Sequence, residues 1–435
     1  MSRSLVTFVL LLLIPSVLLY AEKRKAIVVV DSVTSMPLAS ASVFDKNGKF
    51  MGASSSKGVI AFVSRSDFPI NIRYIGFKEK MIEDCELDTI FMQESITELP
   101  EVIVASKQRK MLHILAYTRE YSTLSTYTDT VSMFREKMVD FMIPDDDGNR
   151  NKGWRNPRVL NSKSYYLYTN SEHLDSVTDR CNYHFTWSDW VGILPPTELP
   201  EKLALSDIAT DTLYGKYSPR EIWIKNEDRV RLNVDVLADR RSRKWVPNFG
   251  QFFQNNVDFD RFTLQLNYNN VIGGMLNPSD LSGYSFNIES RGRGHGMFKF
   301  NKVDEPFYVT TYTEVYILDK EYITMKEARK WERNLSAGEK LDIYVSPDAP
   351  SLDDATLQLI ARVDTINHKG VQQTLAADKM MIGREEIKRN FGQRALREIK
   401  GWFGIDYIVG NRKKKKEWQD FRMNQLRKSK LRDGE

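Results

Sequence analysis

The chain has 435 residues, of which 41% are hydrophobic and 28% are charged, and its formal net charge is +5. This composition, with a negative mean hydropathy, is typical of a globular protein and excludes both a disordered chain and one built of many membrane spans. The length predicts several domains, because one domain usually contains about 100–200 residues.

Residues 1–21 have the pattern of a secretory signal peptide. Arg3 is the charged start, an apolar run follows to residue 19, and Leu-Tyr-Ala is a suitable cleavage site. The basic residues that follow at once, 23–25, are also compatible with an uncleaved anchor. The apolar run is shorter than the ~20 residues that a membrane span needs, so we favour cleavage and expect an exported protein.

Residues 22–96 are predicted to form a small antiparallel β-sandwich. Short β-prone runs alternate with turn residues, and Asn47-Gly48 is a strong hairpin signal. The predicted strands are 26–30, 42–44, 59–63, 70–74 and 89–92.

Several short motifs in this region follow a known pattern. They are Pro37-Leu38, Ala41-Ser42-Val43, Gly52, Gly58 and Tyr74-Ile75-Gly76-Phe77. The region of about residues 26–106 resembles the carboxypeptidase-regulatory-like domain, a transthyretin-like β-sandwich of exported Gram-negative proteins that include TonB-dependent receptors. The resemblance implies a location in the periplasm or at the periplasmic face of the outer membrane, and a role in scaffolding or docking.

Residues 97–106 are predicted to be an extended linker. Pro100 disfavours a helix at Leu99, and three β-branched residues follow. Such a segment can add as a strand to an exposed sheet edge, either within the chain or on an envelope partner. The candidate docking residues are Leu99, Glu101, Val102, Ile103 and Val104.

The rest of the chain is predicted to contain three further regions. Apolar residues spaced by three and four predict a helical segment over 107–145, and residues 146–375 are predicted to form a β-rich domain. Within it, alternation predicts half-buried antiparallel strands, and Thr324 with Glu327 forms a capping box that starts a helix. The alternating strands are 230–236, 262–268 and 307–315.

Residues 376–435 are predicted to form basic helices. The last 25 residues contain ten Lys or Arg and four acidic residues, a net charge of +6. An exported protein would not meet nucleic acid. We therefore consider two interpretations of this basic region: it binds an anionic membrane surface, or it is a solvated tail. The candidate surface-binding residues are Lys413, Lys414, Lys415, Lys416 and Arg422.

The fold class is therefore predicted to be mainly β with α, in several domains. Cys85 and Cys181 are compatible with a disulfide, but their distance in sequence leaves the pairing open.

The sequence contains none of the common catalytic motifs. The five histidines lack the spacing of zinc ligands, and the sequence contains neither the serine nucleophile elbow nor the phosphate-binding loop. An acidic run at 145–149 lacks the closing Glu of a calcium loop, and a Gly-Arg-rich run at 291–296 is better explained as a hairpin loop than as an anion site. We predict no metal and no cofactor.

The sequence therefore favours an exported, non-enzymatic scaffold or docking protein of the cell envelope. Two alternatives stay open. One is an accessory component of TonB-linked transport, since about 330 residues after Val104 are too few for a complete receptor. The other is a secreted hydrolase whose site is assembled from distant residues.

Overall fold

The computed structural model describes residues 26–84, 86–95, 111–126, 130–144, 155–170, 172–180, 186–249, 257–293, 306–336 and 341–368. The chain divides into two compact units, Met1–Ser95 and Ile96–Glu435. Both are rich in β-strands, and the second contains a large antiparallel sheet with few helices.

The first unit contains two small sheets. Their strands are β1 (Ile27–Asp31), β2 (Ser42–Phe44), β3 (Phe50–Ala53), β4 (Val59–Ile60), β5 (Ile70–Arg73), β6 (Lys80–Ile82) and β7 (Thr89–Met92). One sheet has the order β4-β1-β7, and the other has the order β3-β2-β5-β6.

One apolar core joins the two sheets, so the first unit is a β-sandwich. Val29, Ile72 and Ile90 are almost fully buried in this core. The predicted strands 42–44 and 89–92 have the observed bounds, whereas β3 and β6 were missed. The expectation of a purely antiparallel sandwich is wrong, because β1 pairs with β7 in parallel. These two strands are not consecutive, and no hairpin therefore forces them to run in opposite directions.

The second unit is built on a ten-stranded antiparallel sheet with the order β11-β10-β9-β8-β19-β18-β16-β15-β14-β13. Two short strands, β12 and β17, form a separate pair. The strands are β8 (Met111–Ser125), β9 (Thr130–Pro144), β10 (Arg158–Thr169), β11 (Asp175–Thr178), β12 (Thr197–Glu198), β13 (Ile208–Tyr214), β14 (Pro219–Asn226), β15 (Arg229–Asp235), β16 (Val257–Tyr268), β17 (Met275–Leu276), β18 (Leu281–Arg293) and β19 (Pro306–Ile323).

The predicted helical segment 107–145 is wrong. Its described residues form β8 and β9, which pair along their full length. Side chains on both faces of these strands are buried, including Ile114 and Phe141 on one face and Tyr117 and Met138 on the other. Apolar residues therefore do not alternate strictly, and spacings of three and four arise without a helix.

The sheet has two faces, called the first face and the second face below. Cross-strand pairing shows which side chains lie on each face. The first face carries the main apolar core, with Leu232, Leu264 and Phe286 in neighbouring register positions. The second face carries polar residues on the same strands: Arg231, Asn233, Gln265, Asn267, Ser285 and Asn287. All six are less than 8% exposed, so the strands predicted to be half-buried are antiparallel, as expected, but are buried on both faces.

In the described residues, three α-helices accompany the sheet: α1 (Glu201–Ala204), α2 (Met325–Ser336) and α3 (Asp354–His368). The capping box before α2 is confirmed, because the amide and hydroxyl of Thr324 donate to Glu327, whose amide donates back to the hydroxyl. Helix α2 packs through Ala328 against Met111 of β8. None of the helices in the described residues is both long and apolar enough to span a membrane.

Several predictions fall outside the described residues. They concern the signal segment 1–21, the linker 97–106, the acidic run 145–149, the basic region 376–435, and the two cysteines Cys85 and Cys181.

Candidate functional site

The residues that the sequence selects for docking are not in the described part of the structure. This applies to Leu99, Glu101, Val102, Ile103 and Val104, and to the tail residues Lys413, Lys414, Lys415, Lys416 and Arg422. The described residues form other surfaces and side-chain clusters that are candidates for a site.

The outer face of the three-stranded sheet in the sandwich is a candidate docking surface. Strand β1 buries Ile27 and Val29 in the core, so Val28 and Val30 point to the opposite side. Val28 pairs with Val59 of β4, and Val30 pairs with Phe91 of β7. We call Val28, Val30, Val59 and Phe91 the outer valine face.

This outer valine face is apolar and partly exposed to solvent. Phe91 is 49% exposed, Val28 and Val59 are half-buried, and Val30 is buried. The amine of Lys80 donates to the carbonyl oxygen of Phe91 at 2.8 Å, which occupies one hydrogen-bonding group of the edge strand β7. A β-branched face with an exposed aromatic residue can bury further apolar area against a partner.

The outer face of the other sheet has a different chemistry. Asn71 and Arg73 both donate to Glu79, with a distance of 2.6 Å from Arg73 Nε to the carboxylate. Met81, which pairs with Asn71, is an exposed apolar residue beside this polar group. The two outer faces therefore differ, and the valine face is the more apolar surface.

In the second unit, a buried polar network lies on the otherwise apolar first face of the large sheet. Glu120 of β8 is fully buried and accepts hydrogen bonds from Ser122, Thr186 and Ser188 at 3.1, 2.7 and 2.6 Å. Lys137 of β9 is also fully buried and donates to Ser188. We call these residues, together with Asp189, the Glu120 network.

Asp189 provides the second carboxylate of the Glu120 network. Its side chain is about one-third exposed and lies 2.6 Å from Lys137 Nζ and 3.5 Å from Arg135 Nη1. Burial alone would raise the pKa of Asp189, but the positive charges of Lys137 and Arg135 outweigh burial and lower that pKa below its usual range. Asp189 is therefore ionised and balances the buried ammonium group.

The geometry around Ser188 resembles that of an activated nucleophile in one respect. Its hydroxyl donates to a carboxylate and accepts from an ammonium group, which are the partners that increase hydroxyl reactivity. However, Ser188 is only 4% exposed, and its partners Glu120, Lys137 and Thr186 surround the hydroxyl. The network neutralises buried charge, and its clearest physical role is to stabilise the sheet.

A second cluster brings a histidine next to acidic residues. His113 Nε2 lies 3.0 Å from Asp140, and His113 Nδ1 lies 3.2 Å from Glu321. Arg158 donates two hydrogen bonds to the same Asp140, and the ring of Trp331 from α2 lies 5.0 Å from the imidazole ring. This arrangement joins four neighbouring strands and one helix, and it resembles a structural ion network.

The remaining sequence motifs give no site among the described residues. Arg291 belongs to β18, where it lies 3.4 Å from Asp260, so this part of the Gly-Arg-rich run is strand rather than hairpin loop. Within the described ranges, no group of three His, Cys, Asp or Glu side chains is placed to bind a metal ion.

The sequence reasoning missed the Glu120 network and the outer valine face. The network joins residues 51 and 68 positions apart, which no local motif reveals. The valine face did have a signal, because the continuous apolar run of β1 indicates a strand with apolar residues on both sides.

Comparison with known proteins gives little further information. No family model matches the chain, and no curated protein matches it. A solved structure described as "lipid-protein interactions in lipovitellin" matches 50% of this chain and 26% of that chain, with 6% identity and a TM-score of 0.23. The chain thus spans about a quarter of that protein, and the low TM-score supports no conclusion about fold or function.

Proposed function

We propose that this chain is an exported docking or scaffold protein of the cell envelope, whose N-terminal unit is a carboxypeptidase-regulatory-like domain. In this proposal, the sandwich binds a protein partner, and the large sheet unit provides a stable body. The sequence resemblance over residues 26–106 and the signal-like segment 1–21 support export.

The outer valine face is the single observation that carries the proposal. Four apolar residues of three neighbouring strands are directed away from the sandwich core, and Phe91 leaves about half of its surface in water. Burying Phe91, Val28 and Val59 against a partner would remove their exposed apolar area from water, at about 25 cal/mol per Å². Phe91 lies on the edge strand β7, and an exposed aromatic residue on such an apolar face is a typical interface anchor.

Two further segments extend this proposal. Residues 99–104 would contribute a strand to the same envelope partner, and a TonB-like protein is the partner class that the family resemblance suggests. The basic tail, with Lys413 and its neighbours, would attract an anionic membrane surface in a salt-sensitive manner. An accessory role in TonB-linked transport is the narrower form of this function.

The experiment compares two positions in the full chain. A photoreactive phenylalanine analogue replaces either Phe91 or Met81, the matched control, which is 60% exposed on the outer face of the other sheet. Cells that make the protein are irradiated, and the adducts are identified by mass spectrometry. We expect one envelope protein to be crosslinked from position 91 and not from position 81.

The variant Phe91→Asp then tests whether the contact contributes to binding. It should remove the native complex of the full chain in blue-native electrophoresis, whereas Met81→Asp should leave that complex unchanged. Identical adducts from both positions, or a complex that survives Phe91→Asp, would contradict docking through this face.

The hydrolase alternative has one observation in its favour, the hydrogen bond from Ser188 to Glu120. A fluorophosphonate probe applied to the full chain distinguishes the two functions. Covalent labelling of Ser188 would favour the hydrolase, and an unlabelled Ser188 in the folded protein agrees with the structural role of the Glu120 network.

A further inference from the structure

Four exposed apolar side chains lie at one end of strands β13 to β16 in the large sheet unit. Leu205 is 80% exposed, Ile208 is 69% exposed, Ile272 is 86% exposed and Met275 is 39% exposed. Isolated exposed apolar residues are normal on a protein surface, whereas a group of neighbouring ones marks an interaction site. We call these four residues the apolar end patch.

Hydrogen bonds attach the two loops that carry the apolar end patch to the same turn. The amide of Glu227 donates to the carbonyl oxygen of Asp207 at 2.7 Å. The amide of Val271 donates to the carbonyl oxygen of Asp228 at 2.8 Å. The loops 205–208 and 269–275 are therefore both fixed to the turn that joins β14 to β15.

The two loops also lie beside each other near helix α1. Met275 pairs with Glu198, and the amide of Leu199 donates to the carbonyl oxygen of Gly274 at 2.8 Å. A Cβ atom at Gly274 would lie only 3.8 Å from the Cβ of Ala204, the residue before Leu205. The four side chains therefore belong to one surface, which is formed before any partner binds.

The charges around the apolar end patch are mainly negative. The exposed charged residues of 195–208, 226–229 and 269–275 are Glu198, Glu201, Asp207, Glu227, Asp228 and Lys202. The amine of Lys225 is buried and donates to the carbonyl oxygen of Leu203, so it does not reach this surface. An apolar surface with an acidic rim attracts a cationic partner with apolar residues and repels an anionic membrane.

The C-terminal segment of the same chain has the complementary composition. Residues 411–435 have a net charge of +6, and Trp418 and Phe421 are spaced by three, which places them on one side of a helix. About 40 residues separate this segment from His368. At about 3.3 Å per residue they can span ~130 Å, whereas ten strands are ~45 Å wide, so the segment can reach the patch.

We propose that residues 411–435 dock on the apolar end patch of their own chain. Trp418 and Phe421 contact the apolar side chains, and the basic residues 413–416 face the acidic rim. This contact lies within the second unit and does not depend on docking through the outer valine face. It also limits the membrane attraction proposed above, because docked basic residues are less available to an anionic surface.

Photocrosslinking of the purified full chain, without membranes, tests the contact. A photoreactive phenylalanine analogue replaces either Ile272 or Tyr217, which is 75% exposed in the hairpin at the opposite end of β13 and β14. Digestion at acidic residues and mass spectrometry then identify the adducts. We expect position 272, and not position 217, to be joined to residues 411–435. The absence of this adduct, or equal yields from both positions, would overturn the proposal.

Two further arms identify the occupant. In a mixture of isotope-labelled and unlabelled chains, the adducts should join residues of one chain, and adducts between a labelled and an unlabelled chain would show that a second copy supplies the segment. Irradiation in cells should give the same adduct. A lipid or another protein joined to position 272 in its place would contradict the proposal.

Matched variants test the two parts of the surface. Glu227→Lys should lower the yield from position 272 by roughly two- to fivefold, because exposed ion pairs are individually weak. The control Glu172→Lys makes the same charge change in the exposed turn between β10 and β11 and should leave the yield unchanged. Leu205→Ser should also lower the yield, whereas Leu174→Ser, at a position that is 61% exposed in the turn between β10 and β11, should not. If each control lowers the yield as much as its partner, docking at this patch is wrong.

Discussion

Replacing Lys137 with methionine tests the reasoning about buried charge in the large sheet unit. The Lys137 side chain is fully buried, lies 2.6 Å from Asp189, and donates to Ser188, which in turn donates to Glu120. In Lys137→Met the apolar volume is nearly kept, but the network that contains the buried carboxylate of Glu120 loses the ammonium charge that Asp189 and Ser188 bind. Breaking a buried ion pair by removing one partner destabilises a protein by about 3–5 kcal/mol.

Tryptophan fluorescence during thermal unfolding measures the loss of stability in the second unit, which contains Lys137. All eight tryptophans follow residue 95, so their emission reports only on the second unit. A loss of this size should lower the melting temperature of that unit by roughly 5–10 °C, given a few degrees per kcal/mol for large domains. The matched control is Lys163→Met at an exposed position of β10, which should change stability by no more than about 0.5 kcal/mol.

The double variant Lys137→Met/Glu120→Gln separates lost charge compensation from lost packing. Neutralising Glu120 removes the uncompensated buried charge, so the double variant should recover part of the stability that the single variant loses. The reasoning is refuted if Lys137→Met costs less than about 1 kcal/mol, or if the double variant is less stable than the single variant.

Two further predictions concern titratable groups. Because the pKa of Asp189 is lowered in the folded state, its ionised form stabilises that state at pH values above the usual pKa of Asp. This stabilisation disappears as the pH falls through the lowered pKa of the folded state. The difference in melting temperature between wild type and Asp189→Asn should therefore shrink from about pH 7 to about pH 2, and a constant difference would contradict it. Burial lowers the pKa of Lys320 to about 8, and its amine donates to the carbonyl oxygen of Ser279. The acetylation rate of Lys320, mapped by mass spectrometry, should level off above about pH 8, and a rate that still rises steeply from pH 8 to pH 10 would count against the lowered pKa.

Local patterns were sufficient for part of the fold. The strand 42–44, the hairpin at Asn47-Gly48 and the capping box at Thr324 were predicted correctly, because each depends on residues only a few positions apart. The pairing of β15 with β16 was also consistent with their alternating pattern. In all of these cases the chemistry of neighbouring residues was enough to specify the local conformation.

The candidate sites depend on tertiary structure to a much greater extent. Ser188 meets Glu120 from 68 positions away, and His113 meets Asp140 and Glu321 only through the pairing of β8 with β9 and β19. Neither cluster has a sequence motif. The outer valine face is intermediate, because its apolar residues were visible in β1 but the direction of each side chain required the structure.

The sequence alone thus determined the mainly β character of the chain, the short strands of the sandwich and the start of helix α2. Only the tertiary structure decided that residues 111–144 form two long strands, that β1 and β7 run in parallel, and that polar side chains of the large sheet are buried. The physical reason is that periodicity identifies a strand by its one apolar face. When distant parts of the chain cover both faces, the alternation that distinguishes a strand from a helix disappears, and non-local pairing determines the conformation.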